Sequence, residues 1–302
     1  MENAKLITPN TILIGAQKAA TTSLYNWIAQ HPDVCGPATL KDYAFFAYDE
    51  FFNQGLESLS HIYKKEYNQE KIVIHGFVNY MFFEKSIKRI YNFNKDIKLI
   101  MSLRNPTDRA ISAYEYQVKS QKEPIKTFLD ALKAEESRME ENDYSTVADL
   151  TYFNHGLYYK QLQIILKYFP LEQIKVVFYE DINTNPKQLI LDVYSFLEVD
   201  NSFTPKFKTM NKTGEIKNKT IHKLFYSRSP IKQKIVKYLI DPIFPLEKRL
   251  KVKIFINEYN TKDKARVENT YPIERAYLQD KFKEDIEQLE KLLHVDLTQW
   301  KK

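Results

Sequence analysis

Short apolar runs that end at turn residues recur along the first two thirds of the chain. Three of the four runs are followed by residues that favour the start of a helix. Strands that alternate with helices form a mainly parallel sheet, because a parallel pair needs a long crossover between its strands. The pattern therefore predicts an α/β fold with a central, mainly parallel sheet flanked by helices. The predicted strands are residues 11–15, 71–74, 98–103 and 174–179.

Helix-start signals and apolar spacing predict the helices that join these strands. After the first strand, Leu24, Trp27 and Ile28 recur at the i, i+3, i+4 spacing of one helical face. An Asn-Pro pair, which supplies a side-chain cap and a proline at the first helical position, occurs at residues 105–106 and again at 185–186. We expect helices over residues 21–30, 106–120, 126–141, 156–169 and 271–293, and another after residue 186. The helix at 126–141 is expected at the surface, and residues 205–220 are expected to form an aperiodic loop.

The chain is predicted to form one domain. Its 302 residues contain neither an internal repeat nor a low-complexity segment. We expect a single domain over residues 1–302, with a helical C-terminal extension from about residue 220.

Charge and cysteine content exclude several classes of protein. The 45 Lys and Arg exceed the 39 Asp and Glu by only 6, with no run of five or six like charges, which favours a small anionic ligand over nucleic acid. The lone cysteine, Cys35, cannot form an internal disulfide or a Cys-based metal site. The apolar run at residues 12–14 is too short for a signal peptide or a membrane span. We therefore expect a cytoplasmic protein without a metal or a membrane span; the sequence does not indicate its oligomeric state.

The stretch from Ile12 to Ser23 is the most informative for function. A strand enters a loop of small residues and then a helix, so backbone N–H groups and a helix N-terminus point at an anion, and Lys18 adds a full charge. A nucleoside-triphosphatase loop has its lysine directly before the hydroxyl residue, whereas Lys18 precedes Thr21 by three residues. The alternative is an ordinary strand–turn–helix with a solvated Lys18.

A second stretch follows the third predicted strand. Arg104 lies at the carboxyl end of that strand, where ligands bind in open α/β sheets, and Ser112 follows one to two turns into the next helix. A forked arginine and a hydroxyl donor suit a monoester phosphate. The alternative for Arg104 is a structural ion pair, and for Arg109 an ion pair with Asp108 or Glu115.

Together these two stretches resemble the PAPS-dependent sulfotransferases, which carry a Lys-x-Gly-Thr-Thr loop and an Arg-Asn-Pro…Arg…Ser-x-Tyr segment. The resemblance implies a P-loop-like three-layer fold. It also implies that the loop binds the 5′-phosphosulfate of PAPS (3′-phosphoadenosine 5′-phosphosulfate), that the second segment binds the 3′-phosphate, and that PAP is the product. The basic segment 214–219 is similar to a third family segment that closes over the phosphates. The implied donor-binding residues are Gln17, Lys18, Ala19, Ala20, Thr21, Thr22, Ser23, Arg104, Ser112 and Lys217.

Residues 41–46, Lys-Asp-Tyr-Ala-Phe-Phe, are similar to the Lys-Glu-x-His-Phe-Phe segment of the heparan-sulfate and bacterial carbohydrate branch. The likeness covers roughly residues 11–200. The chain departs from the pattern at Ala20, where the family loop has glycine, and alanine there is strained if φ is positive. Ala44 and Ala47 stand where the branch carries His and Asp, so those acceptor contacts are missing.

The resemblance implies an enzyme that moves a sulfuryl group from PAPS to a hydroxyl or amine of a carbohydrate, lipid or other small-molecule acceptor. Lys18 would stabilise the charge on the leaving oxygen. Asp42 is the first candidate for the base that takes the acceptor proton, with Glu50 and His75 in reserve. Lys41 would lie near the sulfate or hold the base.

Two other functions use these residues differently. A magnesium-dependent nucleotide kinase would use the same loop but lacks a lysine next to Thr21. A non-enzymatic RNA-binding module would need basic and aromatic residues on one surface, whereas the aromatic residues mostly fall at core spacing. For Asp42 and His75, the corresponding alternatives are a turn acid and a buried core group.

Overall fold

The computed structural model describes residues 6–37, 41–141, 143–208 and 270–302, with the short segments 214–216, 252 and 261–263. Within these residues the centre of the fold is a five-stranded sheet in which every pair is parallel. Its strands are β1 (Thr11–Gly15), β2 (Val34–Cys35), β3 (Ile72–Gly76), β4 (Lys98–Leu103) and β5 (Ile174–Phe178), in the order β2-β3-β1-β4-β5. The predicted parallel sheet and its four strands are confirmed.

Helices connect and cover the strands. They are α1 (Thr21–Ile28), α2 (Asp49–Phe52), α3 (Leu56–Tyr63), α4 (Glu84–Phe93), α5 (Pro106–Lys119), α6 (Phe128–Lys133), α7 (Glu135–Glu140), α8 (Tyr144–Leu150), α9 (Tyr158–Leu166), α10 (Tyr179–Thr184), α11 (Pro186–Leu197) and α12 (Pro272–Leu293). The Asn105 side chain accepts from the N–H groups of Thr107 and Asp108, and the Asn185 side chain accepts from that of Gln188. Both predicted Asn-Pro helix starts are therefore confirmed.

Both faces of the sheet are buried under helices. Successive residues of a strand point to opposite faces, so Ile12 and Ile14 of β1 pack into one apolar cluster and Leu13 into the other. In β4, Leu99 and Ile100 divide in the same way. Helices α1 and α11 contribute to the cluster around Leu13, and α4, α5, α9 and α12 contribute to the other. This is the predicted three-layer fold.

The C-terminal helix α12 is tied to the sheet edge through α9. The buried Asp285 carboxylate accepts from the backbone N–H groups of Tyr159 and Lys160, at 3.0 and 3.2 Å, in the first turn of α9. The adjacent Tyr158 hydroxyl donates to the carbonyl of Arg104 at 2.9 Å. Helix α12 therefore helps to hold the chain where β4 ends.

Two predictions differ from the structure, and one strand was not predicted. The stretch 126–141 forms two short helices, α6 and α7, and it is not purely a surface element because Phe128 and Arg138 are buried. The predicted loop 205–220 contains a strand, β6 (Gly214–Ile216), paired antiparallel with β7 (Thr261–Asp263). The strand β2 escaped prediction because two residues are too few to show alternation. Lys217 and most of the predicted extension from residue 220 to 269 lie outside the described residues.

Candidate active site

The loop between β1 and α1 is attached to the neighbouring strand β4. The backbone N–H of Ala16 donates to the carbonyl of Ser102 at 2.8 Å. The Ser102 hydroxyl donates in turn to the carbonyl of Ala19 at 2.5 Å. A single residue of β4 thus holds both ends of the loop that carries Lys18, and the loop leads directly into the N-terminus of α1.

Two residues of this loop adopt left-handed backbone conformations. Lys18 has φ 68° and Ala20 has φ 56°. A side chain with a Cβ is strained in this region, by about 1 to 2 kcal/mol, because the Cβ crowds the following carbonyl. The loop therefore has the geometry for which glycine is suited, and Ala20 occupies it at a cost.

The Lys18 ammonium lies among other cations. Its Nζ is 4.4 Å from the centre of the Tyr116 ring. Burial is the main cause that lowers the pKa of Lys18 to about 8; Arg104 and Lys119 lower it further, and Glu115 opposes them. A group with this pKa is still mostly charged at neutral pH and is held where an anion would be strongly attracted.

Arg104 directly follows β4 and is 8% exposed. Its Nη1 donates to the carbonyl of Lys18 at 3.2 Å, and its guanidinium carbon lies 4.6 Å from the centre of the Tyr179 ring. The loop and the strand end that the sequence singled out separately are therefore in direct contact.

Ser112 and Arg109 lie on the first three turns of α5. Ser112 is 7% exposed, and Arg109 is fully buried and donates from Nη2 to the carbonyl of Tyr152. Asp108 pairs instead with Arg275 of α12 at 2.9 Å. The alternative in which Arg109 pairs with Asp108 or Glu115 is therefore wrong, because the side chain points into the core.

Lys41 and Asp42 form an ion pair beside the carboxyl end of β3. The Lys41 side chain is buried and its Nζ lies 2.7 Å from Oδ1 of the exposed Asp42. Lys41 Cγ lies 3.4 Å from the position that a Cβ would take on Gly76, the last residue of β3. Because β3 pairs with β1, the pair lies at the same sheet edge as the Lys18 loop.

The two reserve bases lie in different surroundings. His75 is buried, with Nε2 2.9 Å from the Tyr80 hydroxyl and Nδ1 3.3 Å from that of Tyr63. Burial lowers the pKa of His75 to about 4, so the ring is neutral and held between two tyrosines. Glu50 is exposed on α2. Among the described residues, no hydrogen bond or ion pair joins Glu50 to Lys18 or Asp42.

Sequence reasoning missed Ser102 and Tyr116. Ser102 gave no signal in the sequence because it is a single buried polar residue within the apolar run of β4. Tyr116 follows Ser112 by four residues, and that spacing places both on one face of α5. The i, i+4 spacing was therefore a signal that could have found Tyr116.

Other features of the described residues lie apart from these groups. A cavity of about 660 Å³ has walls that include Tyr48, Phe82, Phe83 and Tyr144, and none of the predicted site residues lines it. The described part of the chain holds no cluster of His, Cys, Asp and Glu that could bind a metal ion. No helix in that part is long and apolar enough to cross a membrane.

Known proteins are similar to this chain in sequence and in fold. Residues 8–234 match the family model of the sulfotransferase domain. Human heparan sulfate glucosamine 3-O-sulfotransferase 5 is 31% identical over 191 residues, which cover 63% of this chain and 54% of that protein. The human 3-O-sulfotransferase 3B1 is 30% identical over 207 residues, with 68% and 50% covered. The chain thus spans about half the length of the curated relatives it matches.

A solved structure extends the likeness to nearly the whole chain. The crystal structure of a sulfotransferase from Alicyclobacillus acidocaldarius superposes with a TM-score of 0.70 and 25% sequence identity, and the match covers 98% of this chain and 100% of that one. With the family match over most of the sequence, this superposition agrees with the P-loop-like arrangement of sheet and helices. The chain belongs to the sulfotransferase domain family.

Proposed function

We propose that this protein transfers a sulfuryl group from PAPS to a hydroxyl or amine of an acceptor. The observation that carries the proposal is the contact between the Arg104 guanidinium and the Lys18 carbonyl. This contact joins the β1–α1 loop and the end of β4 into one site, in which the loop carries the Lys18 ammonium and the strand end carries the Arg104 guanidinium. A ligand with two separate anionic ends, such as a 3′-phosphorylated adenosine 5′-phosphosulfate, matches that arrangement.

The residues present fit both ends of this donor. At one end, backbone groups of the loop and the N-terminus of α1 would bind an anion together with the Lys18 ammonium. At the other end, Arg104 and Ser112 are both less than 10% exposed, so a phosphate bound there would be shielded from water. The 5′ end would be held by Gln17, Lys18, Ala19, Ala20, Thr21, Thr22 and Ser23.

The chemistry follows from what these side chains can do. The donor supplies a sulfuryl group on a phosphate that leaves as an anion. Lys18 stabilises the negative charge that develops on the phosphate oxygen as its bond to sulfur breaks. Asp42, held by the Lys41 ammonium, accepts the proton of the acceptor hydroxyl or amine as the new bond to sulfur forms. The buried, neutral His75 is poorly placed for this role.

The acceptor class is proposed from the relatives together with the local structure. The curated relatives are named as heparan sulfate glucosamine 3-O-sulfotransferases, which supports a saccharide acceptor. Ala44 and Ala47 are 4% and 5% exposed, so these two positions are part of the core. Because these alanines replace the His and Asp of the carbohydrate branch, the panel of acceptors to be assayed must include lipids, phenols and small amines beside saccharides. The cytoplasmic location stays a prediction.

Binding and transfer assays test the proposal. We expect calorimetry to show much tighter binding of PAP than of adenosine 5′-monophosphate, which lacks the 3′-phosphate. Labelled PAPS should then label at least one acceptor of the panel, with or without EDTA, and Lys18→Ala should reduce turnover by about 10²-fold or more while PAP still binds. Equal affinity for the two nucleotides, or phosphoryl transfer from ATP with magnesium, would refute it.

A further inference from the structure

The side chain of Tyr116 lies where it can control the position of the Lys18 ammonium. The ring centre is 4.4 Å from Nζ, within the range of a cation–π contact. Tyr116 is 46% exposed, so one part of the ring contacts Lys18 and another part faces solvent.

The charges around Lys18 show why the ammonium needs such a contact. From the end of β4, Arg104 repels it, and from α5, Arg109 and Lys119 do the same. Glu115, also on α5, is the acidic group whose charge favours the ammonium. With three cations opposed by one carboxylate, an aromatic face stabilises the charged form without adding another carboxylate that would repel the anionic donor.

Helix α5 links Tyr116 to the phosphate site. Tyr116 lies four residues after Ser112, so the two side chains are one turn apart on the same face of the helix. The Lys18 backbone is held from the other side, because its carbonyl accepts from Arg104. The backbone of Lys18 and the tip of its side chain are therefore fixed by two groups that also border the proposed donor site.

We propose that the face of the Tyr116 ring holds the Lys18 ammonium in the position from which it reaches the leaving oxygen, so that Tyr116 is a positioning residue for sulfuryl transfer. The proposal rests on the proposed function for its catalytic consequence. The contact between ring and ammonium is independent of that function and has its own measurement.

That measurement is the pH dependence of Lys18 acetylation by acetic anhydride, read by mass spectrometry of the Lys18 peptide. Only the neutral amine reacts, so the midpoint reports the pKa of Lys18, about 8 in the unmodified protein. Tyr116→Leu keeps an apolar side chain but removes the ring face, and should lower the midpoint by about half a pH unit. Tyr116→Phe keeps the face and should leave the midpoint unchanged.

Kinetics with PAPS and the best acceptor give the second readout. Tyr116→Leu should lower kcat about two- to fivefold while PAP affinity changes less than about twofold, because the contact acts on the leaving oxygen. Tyr116→Phe should restore kcat. Tyr277→Leu is the matched control, because Tyr277 is 42% exposed and has the Lys281 ammonium 5.8 Å from its ring centre, but lies on α12. It should change neither the Lys18 midpoint nor kcat.

Each contrary result has a distinct meaning. A midpoint that rises in Tyr116→Leu would show that the ring only excludes water, and would overturn the proposal. Equal losses of kcat in Tyr116→Phe and Tyr116→Leu would assign the effect to the hydroxyl and would also overturn it. If the unmodified protein binds no PAP, the proposed function fails, whereas the labelling midpoints still decide whether the ring holds Lys18.

Discussion

The left-handed backbone at Ala20 leads to a prediction that glycine at this position stabilises the protein. The φ of 56° costs alanine about 1 to 2 kcal/mol, whereas glycine adopts that conformation freely. Against this gain, glycine loses about 0.5 to 1 kcal/mol more conformational free energy on folding. Ala20→Gly should therefore raise the free energy of unfolding by about 0.5 to 1 kcal/mol, which corresponds to about 1 to 3 °C in Tm for a chain of this size.

Urea denaturation and thermal melting of the same variant measure this change. Ala19→Gly is the matched control, because Ala19 is fully buried and its φ is not positive. That variant should lose about 1 to 2 kcal/mol, since it gains unfolded-state entropy and buries one methyl group less. Calorimetry should show PAP affinity within about threefold of the unmodified protein in Ala20→Gly, because the loop keeps its conformation. Equal destabilisation by both variants would refute the strain argument.

Four further outcomes are expected. Arg104→Ala should weaken binding of PAP, measured by calorimetry, much more than that of adenosine 5′-monophosphate, because a forked arginine recognises the 3′-phosphate; equal losses would make Arg104 structural. Asp42→Asn should lower the transfer rate about 10²- to 10⁴-fold with nearly unchanged PAP affinity, and a variant that retains its rate would exclude Asp42 as the base. The ratio kcat/KM for PAPS should fall as pH rises through about 8, because this ratio reports the free enzyme, in which the pKa of Lys18 is lowered to that value and the ammonium is the active form; a flat profile to pH 10 would contradict this. In chemical denaturation, Arg138→Met should cost about 3 to 5 kcal/mol, because it leaves the buried Glu123 carboxylate, 2.7 Å away, without its cation; a loss below about 1 kcal/mol would contradict it.

The sequence predicts those secondary-structure elements that are determined by residues close together in the chain. Asn105 followed by Pro106 gives the start of α5, and the apolar runs give four of the five strands of the central sheet. That Arg104 lies at the same sheet edge as the Lys18 loop also follows from the sequence, because the carboxyl ends of parallel strands share an edge. The adjacency of β1 and β4, which brings these groups into contact, needed the structure.

Other features depend on tertiary contacts that no local pattern encodes. The sequence offers His75 as a reserve base, and only the packing of Tyr63 and Tyr80 around the ring shows that it is buried and neutral. The contact of Lys18 with Tyr116 depends on the backbone conformation of the loop and on the rotation of α5 about its axis. The positive φ at Ala20 likewise had to be read from the structure of the loop.

The attachment of the loop to Ser102 means that one strand, β4, sets the position of the loop relative to Arg104. Ser102 holds the loop at Ala16 and at Ala19, and it lies two residues before Arg104 on the same stretch of chain. Strand β4 therefore fixes the distance between the Lys18 loop and Arg104 in the absence of a ligand. Little of the free energy of binding would then be needed to arrange these two groups. We therefore expect the affinity for a nucleotide to depend on the spacing of its anionic groups: one with a different spacing should contact the loop or Arg104, but not both at once.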